Sequence, residues 1–373
     1  MGRPDVASSM RSRVRRIFRE LSKPPDAILL ANATEPHVDQ SFFYATDVQS
    51  GTFEGCQAVL FPDGSTHILT HPLEAESART ARECHVEVVT KREELVGKLR
   101  DLIPAGTTVG INEEELTYST FRQLRKALPR VRFVDVSRAI RKARDVKGPD
   151  EVARLRQAAR IGSRVARDVP SLLRRGMTEL ELAGEMEYRM FRYGAAGRSF
   201  PTIVAFGPHG ALPHFHPTAS RLRPGMGIVC DFGALHQRYC SDITRSYAFG
   251  RPPPELRKIH ETVLEAQAAA LDTIRAGVPG REPHLAAKAV IDRSPWKGRF
   301  THGLGHSIGL AVHDGYGMGE RTEEPLQAGM CVTVEPGIYV PGLGGVRIED
   351  DILVTRQGWE WLSKAPRGYT EVS

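Results

Sequence analysis

The sequence predicts two domains: an α/β half up to about residue 145, then a half in which helices frame a set of strand hairpins. Three observations carry this. The chain has 373 residues, room for two domains of ordinary size. Hydrophobic residues make up 40% and charged residues 26%, the balance of chains that bury full cores. Short apolar runs alternate with helical segments up to residue 145, and beyond it longer helical patterns flank apolar strands interrupted by acids.

Taken in order, the first basic stretch is Arg11, Arg13, Arg15, Arg16 and Arg19. Asp5 and Glu20 interrupt it and no apolar signal core follows, so it reads as a solvated first helix ahead of a transit peptide or nucleic-acid arm. Strands are expected at Ala27–Ala33, Ala58–Pro62, His67–Thr70, His85–Thr90, Thr108–Asn112 and Val131–Val136, with a helix at Phe121–Leu128. This half holds no cluster of catalytic residue types. The charged segment Arg141–Pro149 ends in Gly-Pro and reads as a linker, giving domains 1–145 and 146–373. Pro149 then opens a helix with Val152, Leu155 and Ala159 at helical spacing and acids in its first turn, and Gly176 ends that segment. Thr178-Glu-Leu-Glu181 is a capping-box signature for a helix to about Tyr193. A third helix follows Pro252-Pro-Pro254, carries Leu256, Ile259, Val263, Ala266 and Ala270, and stops by Gly277.

Several classes are excluded. No apolar run approaches the ~18–20 residues of a membrane-spanning helix. Fifty-one Lys+Arg against 45 Asp+Glu leave a net charge of +6, too evenly spread to demand nucleic acid. Five cysteines, odd in number and without a CxxC pair, indicate a reducing, cytoplasmic setting, with Cys230, Cys240 and Cys331 as buried inert thiols.

The chemistry concentrates in two hairpins. Gly227–Gly233 and Tyr239–Ala248 read as strands joined by Ala234–Arg238. If the turn is centred on His236-Gln237, residues whose numbers sum to 473 lie opposite, and Asp231 and Asp242 do so. Downstream, Cys331–Val340 and Gly345–Val354 are joined around Gly342, so numbers summing to 684 pair, and Glu335 and Glu349 meet that condition. Four carboxylates inside apolar strands cannot all stay charged without cations, because desolvation and repulsion raise their pKa values. Two divalent metals ~3.5–4 Å apart would satisfy them. The alternative is exposed acids, or acids paired with Arg245 and Arg347.

The segment Thr301-His302-Gly-Leu-Gly-His306-Ser-Ile-Gly-Leu-Ala-Val-His313-Asp314 supplies imidazoles. His302 and His306 have i, i+4 spacing, but Gly303, Gly305 and Gly309 oppose a helix and no Glu follows His302 as in a helical zinc site. The glycine spacing is not a dinucleotide fingerprint either.

These motifs resemble the pita-bread metallopeptidases: methionine aminopeptidase, aminopeptidase P and prolidase. The resemblance spans roughly 145–365 and rests on Asp-Phe-Gly, Ser-Asp-Ile-Thr-Arg, His-Gly-x-Gly-His, Glu-Pro-Gly-Ile-Tyr and Arg-Ile-Glu-Asp. The first half is similar, more loosely, to the creatinase-type amino-terminal domain of prolidases and aminopeptidase P, which methionine aminopeptidases generally lack. The fold implied is an α/β creatinase-type domain plus an α+β pita-bread catalytic domain. The resemblance implies Asp231, Asp242, His306, Glu335 and Glu349 as ligands of two divalent ions, manganese foremost, with cobalt, zinc or iron as alternatives. Asp242 and Glu349 would bridge; Asp231 would serve one ion, His306 and Glu335 the other. A bridging water would supply hydroxide, with Glu335 as proton shuttle. His214, in Leu212-Pro-His-Phe-His216-Pro, and His313 would hydrogen-bond the scissile amide or the developing oxyanion. Arg347, two residues from Glu349 and so on its strand face, would orient a bridging carboxylate or receive a substrate carboxylate, and Tyr339 would assist by hydrogen bonding.

The implied activity is hydrolysis of Xaa-Pro bonds: foremost an Xaa-Pro dipeptidase (prolidase), alternatively an aminopeptidase P acting on longer peptides, and in another class an inactive binding module. A creatinase-like carbon–nitrogen hydrolase or a lyase on this fold is a lesser possibility. A proline-containing di- or oligopeptide would be the substrate and a homodimer the assembly. Two departures stand out. Ser307 replaces a usual Gly, and His313-Asp314-Gly-Tyr-Gly replaces the commoner His-Glu-x-Pro; both are expected to border the substrate side. The stretch between Gly277 and His302 is compact.

Overall fold

A computed structural model describes residues 9–373; Asp5, weighed above against a targeting segment, lies outside the described residues. The chain forms two units, one up to Arg144 and one from Asp145.

The first unit is built on a six-stranded sheet in the order Cys84–Val88, Thr66–Thr70, Gln57–Leu60, Ala27–Ala31, Thr108–Ile111, Arg132–Asp135. Its three central strands pair antiparallel and its flanking pairs are parallel, so the sheet is mixed. Each strand lies within two residues of its sequence expectation. The helix expected at Phe121–Leu128 starts earlier, at Tyr118, because Thr117 caps it by accepting a hydrogen bond from the Thr120 amide.

Two expectations need correction here. The first helix, Met10–Arg19, is not simply solvated: Met10, Arg13, Val14, Ile17 and Phe18 form a buried stripe at helical spacing. Arg13 is fully buried and its Nη1 donates to the Tyr44 carbonyl at 3.3 Å, while Arg11, Arg15 and Arg19 face solvent. The charged segment read as a linker is helix over Ser137–Asp145, with Ala139, Ile140 and Ala143 buried and Arg138, Arg141 and Lys142 outside. The charges of one face masked the apolar face, and only Val146–Gly148 remain as connection. Helices at Gln40–Thr46 and Arg92–Leu102 were not expected; the latter buries only Leu99, so its apolar period is weak.

In the second unit, helices Pro149–Leu172 and Glu179–Arg192 pack on a four-stranded sheet that contains Met226–Phe232 and Ile243–Phe249. Helices Pro254–Leu271 and Arg281–Asp292 cover the second hairpin, Cys331–Val334 to Asp350–Val354. Arg281–Asp292 fills the stretch that the sequence marked only as compact. The capping box forms as expected: Thr178 N donates to Glu181 Oε2 at 2.6 Å and Glu181 N to Thr178 Oγ1 at 3.1 Å. Among the described residues no helix is long and apolar enough to cross a membrane. No disulfide joins the cysteines; Cys230, Cys240 and Cys331 are buried, and burial pushes the Cys331 thiol up to about 12.

Register places the acids. In the second hairpin, pairs sum to 684 on both sides of the break at Glu335 and Glu349: Val334 opposes Asp350 and Gly337 opposes Arg347. Gly342, with φ +83°, turns the chain. In the first hairpin the register differs from expectation. Asp231 opposes Thr244, not Asp242, and pairs sum to 475. The turn is Gln237-Arg238, both with positive φ (46° and 67°), a left-handed turn made without glycine. Moving the centre by one residue shifts partners by two, and an even shift keeps side chains on their face. Asp242 therefore remains two pairs along from Asp231, on the same side, in the break between Tyr239–Cys240 and Ile243–Phe249.

Candidate metal centre

Where the two hairpins meet lies a cavity of ≈ 360 Å³. Asp231, Asp242, His306, Glu335 and Glu349 all line it, as do His214, His302, His313 and Arg347. Apart from His216, Gly303 and Gly305, the rest of its wall is apolar: Phe200, Pro201, Ile203, Pro213, Phe215 and Val312.

Asp231 sits on the strand Met226–Phe232, whereas Asp242, Glu335 and Glu349 sit in the short breaks between strands. His306, on the short strand Gly305–His306, brings Nε2 to 3.4 Å from Glu335 Oε1 and 3.6 Å from Asp242 Oδ2. Ligand atoms of Asp242, His306 and Glu349 lie within 4.8 Å of one another. His306 Nδ1 is 3.2 Å from the Ser307 carbonyl; a carbonyl only accepts, so Nδ1 carries the proton. Nε2 therefore turns a lone pair toward two carboxylates, an arrangement that is repulsive unless a cation stands between them. The acids give the same sign. Asp231 Oδ1 and Asp242 Oδ1 are buried with no hydrogen-bond donor. Burial and then neighbouring acids raise Asp242 and Glu349 well above the carboxylate range, and burial raises Glu335 to about 8. Burial, then His313, hold His306 down to about 4, in the neutral form that ligates metal. The donor set thus fits divalent cations.

Around it runs a layer of orienting groups. Arg347 donates from Nη2 to Asp231 Oδ2 at 2.5 Å, from Nε to Thr244 Oγ1 at 3.0 Å and from Nη1 to Tyr339 Oη at 2.9 Å. It grips Asp231 and reaches Glu349, one of the two acids expected to bridge, only through Thr244, whose hydroxyl donates to Glu349 Oε2 at 2.5 Å. Arg245 pairs with Asp350 instead of the cavity acids. His302 Nδ1 donates to the Gly303 carbonyl at 2.7 Å, which leaves Nε2 to accept from Tyr339 Oη at 2.8 Å. His313 stacks edge-on at 4.2 Å from the His306 ring, and His214 stands exposed at the rim.

The sequence missed His302 as a cavity residue in its own right. It also missed Thr244, Thr333 and Asp351, which bond Glu349, Glu335 with the His306 amide, and the Asp242 amide respectively. A signal existed for the threonines: Thr244 lies two residues after Asp242 and Thr333 two before Glu335, the strand spacing for one face. Ser307 and Asp314 do not border the cavity as expected. Ser307 is fully buried and its hydroxyl donates to Asp145 Oδ1 at 3.2 Å, while Asp314 lies 3.3 Å from the buried Lys147 Nζ. The strand alternation that aims His306 at the cavity aims its neighbour away.

Residues 153–356 match the model of metallopeptidase family M24, and residues 11–146 that of the creatinase/prolidase amino-terminal domain. An uncharacterised peptidase of Staphylococcus aureus is 38% identical over 253 residues, 68% of this chain and 72% of its own length. Among solved structures, an Xaa-Pro dipeptidase from Bacillus anthracis superposes with a TM-score of 0.87 at 34% identity, covering 97% of this chain and 99% of that one. An X-Pro aminopeptidase from Thermotoga maritima gives 0.88 at 33%, covering 96% and 100%. The family implies divalent metal, in agreement with the donor set. The chain therefore belongs to metallopeptidase family M24, with a creatinase/prolidase-type domain ahead of a pita-bread catalytic domain.

Proposed function

We propose that the protein hydrolyses Xaa-Pro peptide bonds, with Xaa-Pro dipeptides as its first substrates. One observation carries the reading: a cage of donor-poor buried carboxylates and a neutral imidazole opens onto a wall of Pro, Phe, Ile and Val side chains that suits an apolar pyrrolidine ring. Asp231, Asp242, His306, Glu335 and Glu349 would hold two divalent ions. Oxygen-rich ligation with one imidazole favours manganese, with cobalt, iron or zinc as alternatives. When bound, such ions lower the pKa of water and polarise a carbonyl.

The chain's own residues do the rest. Glu335 takes the proton of the attacking water at a carboxylate oxygen and passes it to the leaving nitrogen. His214 and His313 donate hydrogen bonds to the carbonyl oxygen as charge develops on it. Arg347 fixes Asp231, and Tyr339, donating to His302 while accepting from Arg347, fixes both. The apolar wall excludes water from the proline side.

A second reading, removal of the N-terminal residue from longer Xaa-Pro peptides, is favoured by one feature. Arg347 is the sole Arg or Lys among the residues lining the cavity, and it is already committed to three partners, so it does not offer itself to a dipeptide's carboxylate. An inactive binding module would leave the donor-poor acids without a role. The homodimer, which rests on resemblance, and the cytoplasmic setting, which rests on cysteine usage, belong to the same proposal. Mass-spectrometric cleavage of Leu-Pro, Leu-Pro-Gly and Leu-Gly by metal-free protein reloaded with Mn²⁺ tests the reading. Release of Leu from Leu-Pro is expected; release from Leu-Pro-Gly alone selects the second reading, and cleavage of neither proline peptide overturns both.

A further inference from the structure

The capping box of the helix Glu179–Arg192 uses Thr178 and Glu181 and leaves the acid between them unexplained. Glu179 is fully buried, and all four of its acceptor positions are filled. Oε1 accepts from the Phe206 amide at 2.8 Å and from His209 Nδ1 at 2.8 Å. Oε2 accepts from the Thr218 amide at 3.0 Å and from the Thr218 hydroxyl at 2.6 Å. Phe206 and Thr218 are the two ends of the loop that carries Pro213, His214, Phe215 and His216 to the cavity. His209 also stacks on the Phe215 ring, with centroids 4.5 Å apart and planes at 30°.

We propose that Glu179 is the positioning residue of this loop: one buried carboxylate closes residues 206–218 into a fixed arc and, through His209, sets the Phe215 face of the cavity and the stance of His214. The helix does not need Glu179 for its start, since Thr178 caps it. What Glu179 does is join two points of chain twelve residues apart across a single side chain, which restrains a rim segment that is otherwise exposed at Leu212 and His214.

The kinetic part of the test rests on the proposed Xaa-Pro activity; the exchange part does not. Glu179→Gln keeps the shape but turns an amide NH₂ toward two donors, so one end of the loop is loosened, although the Leu180 amide still donates to the Thr218 carbonyl at 3.2 Å. In the metal-loaded enzyme, KM for the cleaved proline peptide should rise about tenfold, the scale of a slightly misplaced binding wall, with kcat within about threefold. Bound metal per chain should stay unchanged. Hydrogen–deuterium exchange should quicken over 206–218 and nowhere else. His209→Phe, which keeps the stack on Phe215 and loses only the bond to Glu179, should give a smaller KM change of the same kind. Unchanged exchange over 206–218 in Glu179→Gln overturns the proposal. So does a loss in which kcat, metal content and global protection fall together, because that pattern marks general destabilisation. If the wild-type enzyme cleaves neither proline peptide, the Xaa-Pro reading fails while exchange still decides the role of Glu179.

Discussion

In the amino-terminal unit, the buried Asp39 accepts from the Ser41 amide at 2.8 Å and from Asn112 Nδ2 at 2.8 Å, and Glu74 Oε1 accepts from the Thr52 and Phe53 amides. In the second unit, Asp231 and Asp242 each keep a buried oxygen that no donor meets, and a histidine lone pair faces the same space. Both regions bury carboxylates; only one leaves them short of protons. Burial alone therefore does not distinguish a structural acid from a ligand; Asp231 and Asp242 are set apart by keeping a donor-less oxygen while lining the cavity. Glu179 makes the same point inside the second unit, where four donors mark an acid that holds chain in place.

The largest contrast should come from matched substitutions. Asp242→Ala should abolish peptide cleavage and metal retention while leaving the fold intact, since it removes a repulsive acid. Asp39→Ala should leave activity per folded molecule and metal content alone and cost about 1–3 kcal/mol in denaturant unfolding, from the stranded Ser41 and Asn112 donors. Similar activity losses in the two variants would break the distinction.

Next in size is the buried Lys147–Asp314 pair, a satisfied acid close in sequence to His313. Asp314→Ala strands an ammonium in the interior and should cost about 3–5 kcal/mol, with Lys147→Met added back recovering most of it. A loss below about 1 kcal/mol would mean that water reaches the site.

His260 extends the contrast to a base. Burial, then Arg245 and Arg257, hold it down to about 4, and its ring packs against Tyr369. The unfolded chain binds this proton below about 6.5 and the folded one only near 4. Stability from this group is therefore complete above pH 6.5 and is lost as pH falls toward 4, by at most about 3 kcal/mol. His260→Phe should flatten that share of the curve between pH 6.5 and 4; an unchanged slope would count against it. The smallest effect should be Lys98→Ala: its half-exposed bond to Glu87 at 2.6 Å is screened by solvent, so the urea unfolding midpoint should barely move.

The sequence made the strand order of acids legible because each hairpin carries its carboxylates on an apolar background. Gly342 announces the second turn, so its register follows by counting. Gln237 and Arg238 take left-handed angles without any glycine, and the first register is consequently misplaced by one residue at its centre. Arg13 and the helix Ser137–Asp145 were hidden by charge, because a stripe of arginine and lysine looks alike whether its other face is buried or wet. The chain from Arg347 through Tyr339 to His302 depends on side-chain direction across two strands and a loop, which no spacing encodes. Ser307 and Asp314 were misassigned by adjacency to His306 and His313, when strand alternation sends neighbours to opposite sides.

The donor-poor acids of the second unit should hold cations. Isothermal titration of metal-free protein with Mn²⁺, run beside Asp242→Ala and Asp39→Ala, tests this most directly. Two ions per chain for wild type and Asp39→Ala, with binding lost in Asp242→Ala, is the predicted result. No binding to the wild type, or binding that Asp242→Ala leaves intact, would contradict it.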